Sequence, residues 1–172
     1  NVHINDLEVN LDGDLFAVAE GSILKSSNFG ENWTQITTGI PEQINVTKLA
    51  ISIEGKLFAG TSEGVYLSSD NGFQWFEATG FPYKINSIIT NSYGYVFTGT
   101  SAGLFRSIDR GYEWENIRPD LSPGCFAINA LGHLYMSDSG IIYCSTDEGE
   151  NWTGIYTRGE TGFSAENLSF NS

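Results

Sequence analysis

Apolar and polar residues alternate along this chain in short runs that stop at glycines, and the runs return four times in the same order. The first run of each set has period two: Leu7, Val9, Leu11; Leu49, Ile51, Ile53; Ile88 with Thr90; Phe126, Ile128, Ala130. That period predicts a strand with its two sides in different surroundings. A glycine-bearing turn follows each time, at Gly13, Gly55, Gly94 and Gly132, where a hairpin reversal needs one. Next come two runs that are apolar at nearly every position. They are Leu15-Phe16-Ala17-Val18 with Ile23-Leu24, Leu57-Phe58-Ala59-Gly60 with Val65-Tyr66-Leu67, Val96-Phe97-Thr98-Gly99 with Leu104-Phe105-Arg106, and Leu134-Tyr135-Met136-Ser137 with Ile142-Tyr143-Cys144. Continuous apolar runs of this length predict strands covered on both faces. A fourth strand is expected to start at Trp33, Trp75, Trp114 and Trp152. No helical period occurs.

The turn before each tryptophan is a recurring box: Ser26-Ser27-Asn28-Phe29-Gly30-Glu31-Asn32-Trp33, and its counterparts at 68–75, 107–114 and 145–152. Each tryptophan follows its turn glycine by 20 residues (33 − 13, 75 − 55, 114 − 94, 152 − 132). Four antiparallel strands per unit, repeated at about 40 residues, is the pattern of β-propeller blades. A solenoid of hairpins is the rival, and it uses fewer strands per repeat. The expected fold is all-β: one propeller segment over 1–172, with blades near 5–38, 46–79, 85–118 and 124–157. Residues 165–171 repeat the opening strand, Leu168 standing where Leu7, Leu49, Ile88 and Phe126 stand. Three readings fit a first strand of a fifth unit: an excised segment of a longer propeller, a small ring with a spare strand, or self-association of two chains to complete a ring. The abrupt ending favours the first, and the missing initiator Met agrees with an excised or mature piece.

Charge narrows the partners. The chain has 8 Lys and Arg against 21 Asp and Glu, a formal charge of −13 over 172 residues. Nucleic acid and anionic membrane are disfavoured, because both require basic residues against phosphate. No apolar stretch is long enough to cross a bilayer. Cys125 and Cys144 fall on the first and third strands of one unit, beyond disulfide reach, so two free thiols are expected. His3 and His133 form no metal set. No metal and no cofactor are expected.

The pattern Ser-x-Asp-x-Gly-x-x-Trp, in four in-register copies, resembles the Asp-box or BNR repeat of the sialidase-like propellers. That family includes sialidases, xyloglucan-specific glycosidases, the sortilin ectodomain and photosystem II assembly factors. Read from the residues, the box is structural. Asn28, Asp70, Asp109 and Asp147 are expected to accept backbone N–H groups two residues on. Gly30, Gly72, Gly111 and Gly149 supply the positive φ, and Trp33, Trp75, Trp114 and Trp152 bury their indoles. The resemblance agrees, since family boxes lie on the face away from the active sites.

Function is therefore expected on the opposite face, where the connections from fourth strand to next first strand hold all the length variation. From each tryptophan to the next lead apolar residue the gaps are 16, 13, 12 and 16 (33 to 49, 75 to 88, 114 to 126, 152 to 168). Tyr83, Lys84, Arg118, Tyr156, Arg158 and Phe163 are the binding candidates there. A sialidase needs three converging arginines, which this face does not supply, and its Arg-Ile-Pro opening is missing. A two-carboxylate hydrolase has Asp120, Asp138 and Glu160 to draw on; Asp138 replaces Ala19, Thr61 and Thr100 of the other units. The preferred reading is a non-catalytic recognition or scaffold module that binds a glycan or protein. The alternative is a fragment of a sialidase-like or xyloglucanase-like glycoside hydrolase; a third reading is a structural spacer. The resemblance implies an extracellular, periplasmic or cell-surface location.

Overall fold

The structure is a computed structural model, and it describes residues 3–157. Among the described residues sixteen strands form four sheets. Blade 1 holds β1 (Ile4–Val9), β2 (Leu15–Ala19), β3 (Ser22–Ser26) and β4 (Thr34–Gln35). Blade 2 holds β5 (Val46–Ile51), β6 (Leu57–Thr61), β7 (Val65–Ser68) and β8 (Phe76–Glu77). Blade 3 holds β9 (Ile85–Thr90), β10 (Val96–Thr100), β11 (Gly103–Ser107) and β12 (Glu115–Arg118). Blade 4 holds β13 (Cys125–Ile128), β14 (Leu134–Asp138), β15 (Ile141–Ser145) and β16 (Thr153–Thr157). Within each sheet the strands follow one another in chain order and pair antiparallel. The fold is thus an all-β propeller arc, as the repeat predicts.

The edges of the strands differ slightly from expectation. The first strands stop before Leu11, Ile53 and Ala130, because a polar side chain ends each of them. Asn10 Oδ1 accepts from the N–H groups of Asp12 and Asp14, Asn91 Oδ1 from Tyr93 and Tyr95, and Asn129 Oδ1 from Leu131 and His133. Ser52 Oγ takes the N–H of Lys56 in blade 2. The fourth strands begin one residue after the tryptophan and are two residues long in blades 1 and 2.

Three hydrophobic clusters sit between the blades, one per junction. Phe16, Val18 and Ile23 of blade 1 meet Leu49, Leu57, Tyr66 and Trp75 of blade 2. Phe58 and Val65 of blade 2 meet Val96, Phe105 and Trp114 of blade 3. Phe97 and Leu104 of blade 3 meet Leu134, Met136 and Trp152 of blade 4. The middle strands are therefore apolar on both sides because each side faces another sheet. Trp75, Trp114 and Trp152 pack backward into the cluster shared with the preceding blade. Trp75 is 1% exposed, whereas Trp33, with no blade behind it among the described residues, is 40% exposed.

The inner strands lie side by side in the order β1, β5, β9, β13 around a common axis. Polar side chains tie them: the Leu49 N–H donates to Asp6 Oδ2 (2.8 Å), Thr47 Oγ1 to the Ile85 carbonyl (3.2 Å), Thr90 Oγ1 to the Ile51 carbonyl (2.8 Å) and Ser87 Oγ to the Pro123 carbonyl (2.9 Å). Among the described residues β13 and β1 are not packed together as the other neighbours are, so these blades form an arc.

Candidate functional site

All four boxes adopt one geometry, which differs from the simple turn expected. The serine comes first in the network. Ser68 Oγ donates to Asp70 Oδ1 (2.7 Å) and accepts the Gly72 N–H (3.0 Å). Asp70 Oδ1 then accepts the N–H four residues on, from Gln74 (2.9 Å). Ser26 with Asn28, Ser107 with Asp109 and Ser145 with Asp147 repeat the arrangement. The aspartates accept N–H groups four residues ahead rather than two, because the serine occupies the inner part of the turn. These bonds hold the Asp70 carboxyl below its usual range, the Gln74 N–H contributing most. The residue before each box glycine also takes positive φ: Phe29 58°, Asn71 59°, Arg110 67° and Glu148 61°.

That residue is also where the preceding blade grips the box. Asn71 donates to Asp14 (2.9 Å), Lys56 donates to the Arg110 carbonyl (3.0 Å), and Arg106 donates to the Glu148 carbonyl (3.2 Å). Phe29, the equivalent in blade 1, is 94% exposed. The box face is thus a set of inter-blade clasps.

On the opposite face each connecting segment plugs a blade junction. Ile40 and Ile44, then Phe81, then Leu121 are buried there. Phe81 stacks on Trp114 (ring centroids 4.6 Å) and meets Phe105 edge-on (4.8 Å). Tyr83 rests on this pair, 5.5 Å from Phe81 and 5.1 Å from Phe105, and is 36% exposed. Lys84 beside it is exposed. Arg118 and Asp120 are bound to each other by two hydrogen bonds of 2.8 and 2.7 Å. Arg118 also lies 5.8 Å from the Tyr143 ring. The Arg118 hydrogen bond holds the Asp120 carboxyl down at about 2. Asp138, at the end of β14, accepts from Ser139 Oγ (3.1 Å). The Tyr156 backbone pairs with Ile142 in β16, but its side chain, together with Arg158, Glu160, Phe163 and the strand expected at 165–171, lies outside the described residues.

A cavity of about 370 Å³ occupies the axis, walled by β1, β5, β9 and β13. Asp6, Glu8, Lys48, Ser87 and Cys125 line it. Asp6, Lys48, Ser87 and Cys125 hold one position of the repeat, just before Leu7, Leu49, Ile88 and Phe126. Burial first, and the neighbouring Asp6 second, push the Glu8 carboxyl up to about 7. Sequence reasoning missed this set. The available signal was the charge at 6, 8 and 48, where the aligned units carry Ser87, Cys125, Ala50, Ile89 and Ala127.

Cys125 and Cys144 are not joined in a disulfide, and Cys125 shares a hydrogen bond with Ser137 Oγ (2.9 Å). Among the described residues no group of three or more His, Cys, Asp or Glu is placed to hold a metal ion.

Residues 3–95 match the family model described as the DUF6242 beta propeller domain. No curated protein matches the sequence. Solved structures share the fold at low identity. The structure of YCF48 bound to D1 peptide superposes with a TM-score of 0.64 at 17% identity, covering 88% of this chain and 52% of that one. The nidogen/laminin complex gives 0.70 at 17%, covering 88% and 64%. An ancestral GH74 enzyme gives 0.70 at 18%, covering 87% and 23%. The chain thus spans between 52% and 64% of the length of the first two.

Proposed function

The chain belongs to the DUF6242 beta propeller family, and from that premise we propose that it is a non-catalytic recognition module, binding a peptide segment of a protein or a glycan on the face opposite the boxes. The observation that carries this reading is the Tyr83 platform. A flat, half-exposed phenol sits on a rigid Phe81–Phe105–Trp114 stack, beside exposed Lys84 and on a loop that runs straight into the axial strands. Aromatic faces held on a stiff scaffold bind sugar rings and peptide side chains at low ordering cost. The propellers of similar fold in the YCF48–D1 peptide structure and the nidogen/laminin complex support a partner-binding role. Within the proposal Arg118, Tyr156, Arg158 and Phe163 are further contacts, and the boxes are Asp-boxes of the sialidase-like type with a purely structural task. The same resemblance underlies a proposed location outside the cytoplasm.

The hydrolase alternative draws less support. Asp120 is committed to Arg118 and is ionised far below neutral pH, so it is unsuited to donate a proton. Among the described residues no sheet packs on the outer side of blade 1. Leu7 is 55% exposed where its counterpart Leu49 is 2%, and Trp33 contrasts with Trp75 in the same way. Screening the full chain on glycan and peptide arrays, then repeating the hits with Tyr83→Ala, tests the site. Loss of binding by about fivefold or more is expected; empty arrays, or hits indifferent to Tyr83→Ala, overturn the proposal.

A further inference from the structure

The axial cavity is lined by charged side chains that form no salt bridge among the described residues, and from them we infer that it receives a guanidinium or ammonium group, the side chain of a basic residue in a bound peptide. This rests on the recognition reading above and names the ligand chemistry which that reading leaves open. Asp6 and Glu8 stand two apart on β1, so both side chains leave the strand on the face that also carries Phe16 and meets blade 2, and both residues line the cavity. Asp6 is anchored, accepting the N–H groups of Leu7 (3.1 Å) and Leu49 (2.8 Å). Among the described residues no N–H group anchors the Glu8 carboxylate in this way. Among the described residues no salt bridge involves Glu8, Asp6 or Lys48, although all three line the cavity.

The elements around Glu8 offer it little. Its partner on β2 is the apolar Phe16. Across the cavity β5 contributes Lys48, β9 contributes Ser87, which is spent on the Pro123 carbonyl, and β13 contributes Cys125. Two things disfavour the charged form of Glu8, its burial and the Asp6 carboxylate. A neutral guest relieves neither, and an anion adds a third like charge. A cation offsets the repulsion and supplies hydrogen-bond donors to the free carboxylate. The chain's net charge of −13 draws cations toward this opening and repels anions. The volume suits one side chain rather than a folded element: about 370 Å³ lies at the small end of ligand clefts.

The probe is Nα-acetyl-arginine amide, titrated into the full chain by calorimetry at pH 5.5, 7.0 and 8.5, with the matching capped norleucine and capped glutamate as controls. The guanidinium stays charged throughout, so any pH dependence belongs to the protein. Capped arginine is expected to bind, the controls not, and affinity to rise with pH, by up to about thirtyfold if only ionised Glu8 binds. At pH 7 binding releases about half a proton, read from titrations in two buffers of different ionisation enthalpy. Glu8→Gln removes the pH dependence and weakens binding about tenfold, while Glu8→Asp retains both. Absent binding, equal binding of capped norleucine, no proton release from the parent chain, or unchanged affinity in Glu8→Gln overturns the inference. Array hits that bind Glu8→Gln as tightly as the parent overturn the cavity assignment and leave the recognition reading standing. Empty arrays with capped arginine held through Glu8 do the reverse.

Discussion

Asn28 and Asp147 occupy the same place in their boxes and accept the same N–H, from Asn32 and Asn151, at 2.9 Å each. An amide oxygen therefore fills the acceptor position that a carboxylate oxygen fills in the other boxes. Asp147→Asn keeps the acceptor for the Asn151 N–H but loses the carboxylate oxygen that takes the Asn151 side-chain NH2 (2.7 Å), so it is expected to destabilise the chain less than Asp147→Ala, which loses the acceptor for Ser145 and Asn151 altogether. Chemical denaturation of both variants checks this; equal losses would overturn it. Thr98 shows the opposite case. It is fully buried, its Oγ1 has no partner among the described residues, and its counterparts in the other blades are Ala17, Ala59 and Met136. Thr98→Val removes an unsatisfied hydroxyl at similar volume and is expected to raise stability by about 1 kcal/mol, seen as a higher Tm in calorimetry.

At the scale of the element, identical boxes differ in what lies behind them. A Cβ on Gly149 falls 2.6 Å from Phe97 Cε1 of the preceding blade, while one on Gly30 meets nothing nearer than 3.7 Å. Both glycines have φ near +85°, so both substitutions carry the left-handed strain of about 1 kcal/mol. Only Gly149→Ala adds overpacking, for a total of about 2–4 kcal/mol. Unfolding midpoints of the two variants should separate accordingly, and coincident midpoints would deny the backward packing of blade on blade. The strands, their order and the sides they bury were readable from period and glycine spacing, because each unit restates the same rules. Three features were not. The serine of the box stands at fixed spacing in the pattern, but its bonding role was not legible, because a hydroxyl can donate or accept and the spacing alone does not say that it does both. Asn10, Asn91 and Asn129 were hidden behind the turn glycines they assist. Asp6, Glu8 and Lys48 looked like the solvent side of ordinary strands, and only radial stacking turns that side toward an axis.

The molecule as a whole carries carboxylates that respond to pH in opposite senses. Asp14, held at about 2 chiefly by its Lys25 hydrogen bond, and Asp70, Asp109, Asp120 and Asp147 all have lowered values. Groups depressed in the folded state contribute stability above their ordinary range and lose it as pH falls below about 4. Glu8 does the reverse. Raised from 4.5 to about 7, it binds a proton more tightly when folded, so stability falls as pH climbs from 4.5 to 7 and stays at the lower level beyond. The full shift corresponds to about 3 kcal/mol, and the cavity's access to water reduces this to roughly 1 kcal/mol. Self-repulsion at a net charge of −13, with pI near 4.3, slopes the same way. Salt separates the two, since about 0.5 M NaCl screens distant charges and leaves local burial untouched. Tm is expected to peak between pH 4.5 and 5. At high salt a residual decline toward pH 7 should persist in the parent chain and vanish in Glu8→Gln. If both chains keep the same slope at high salt, Glu8 is not the group that titrates, and the axis holds no carboxylate waiting for a cation.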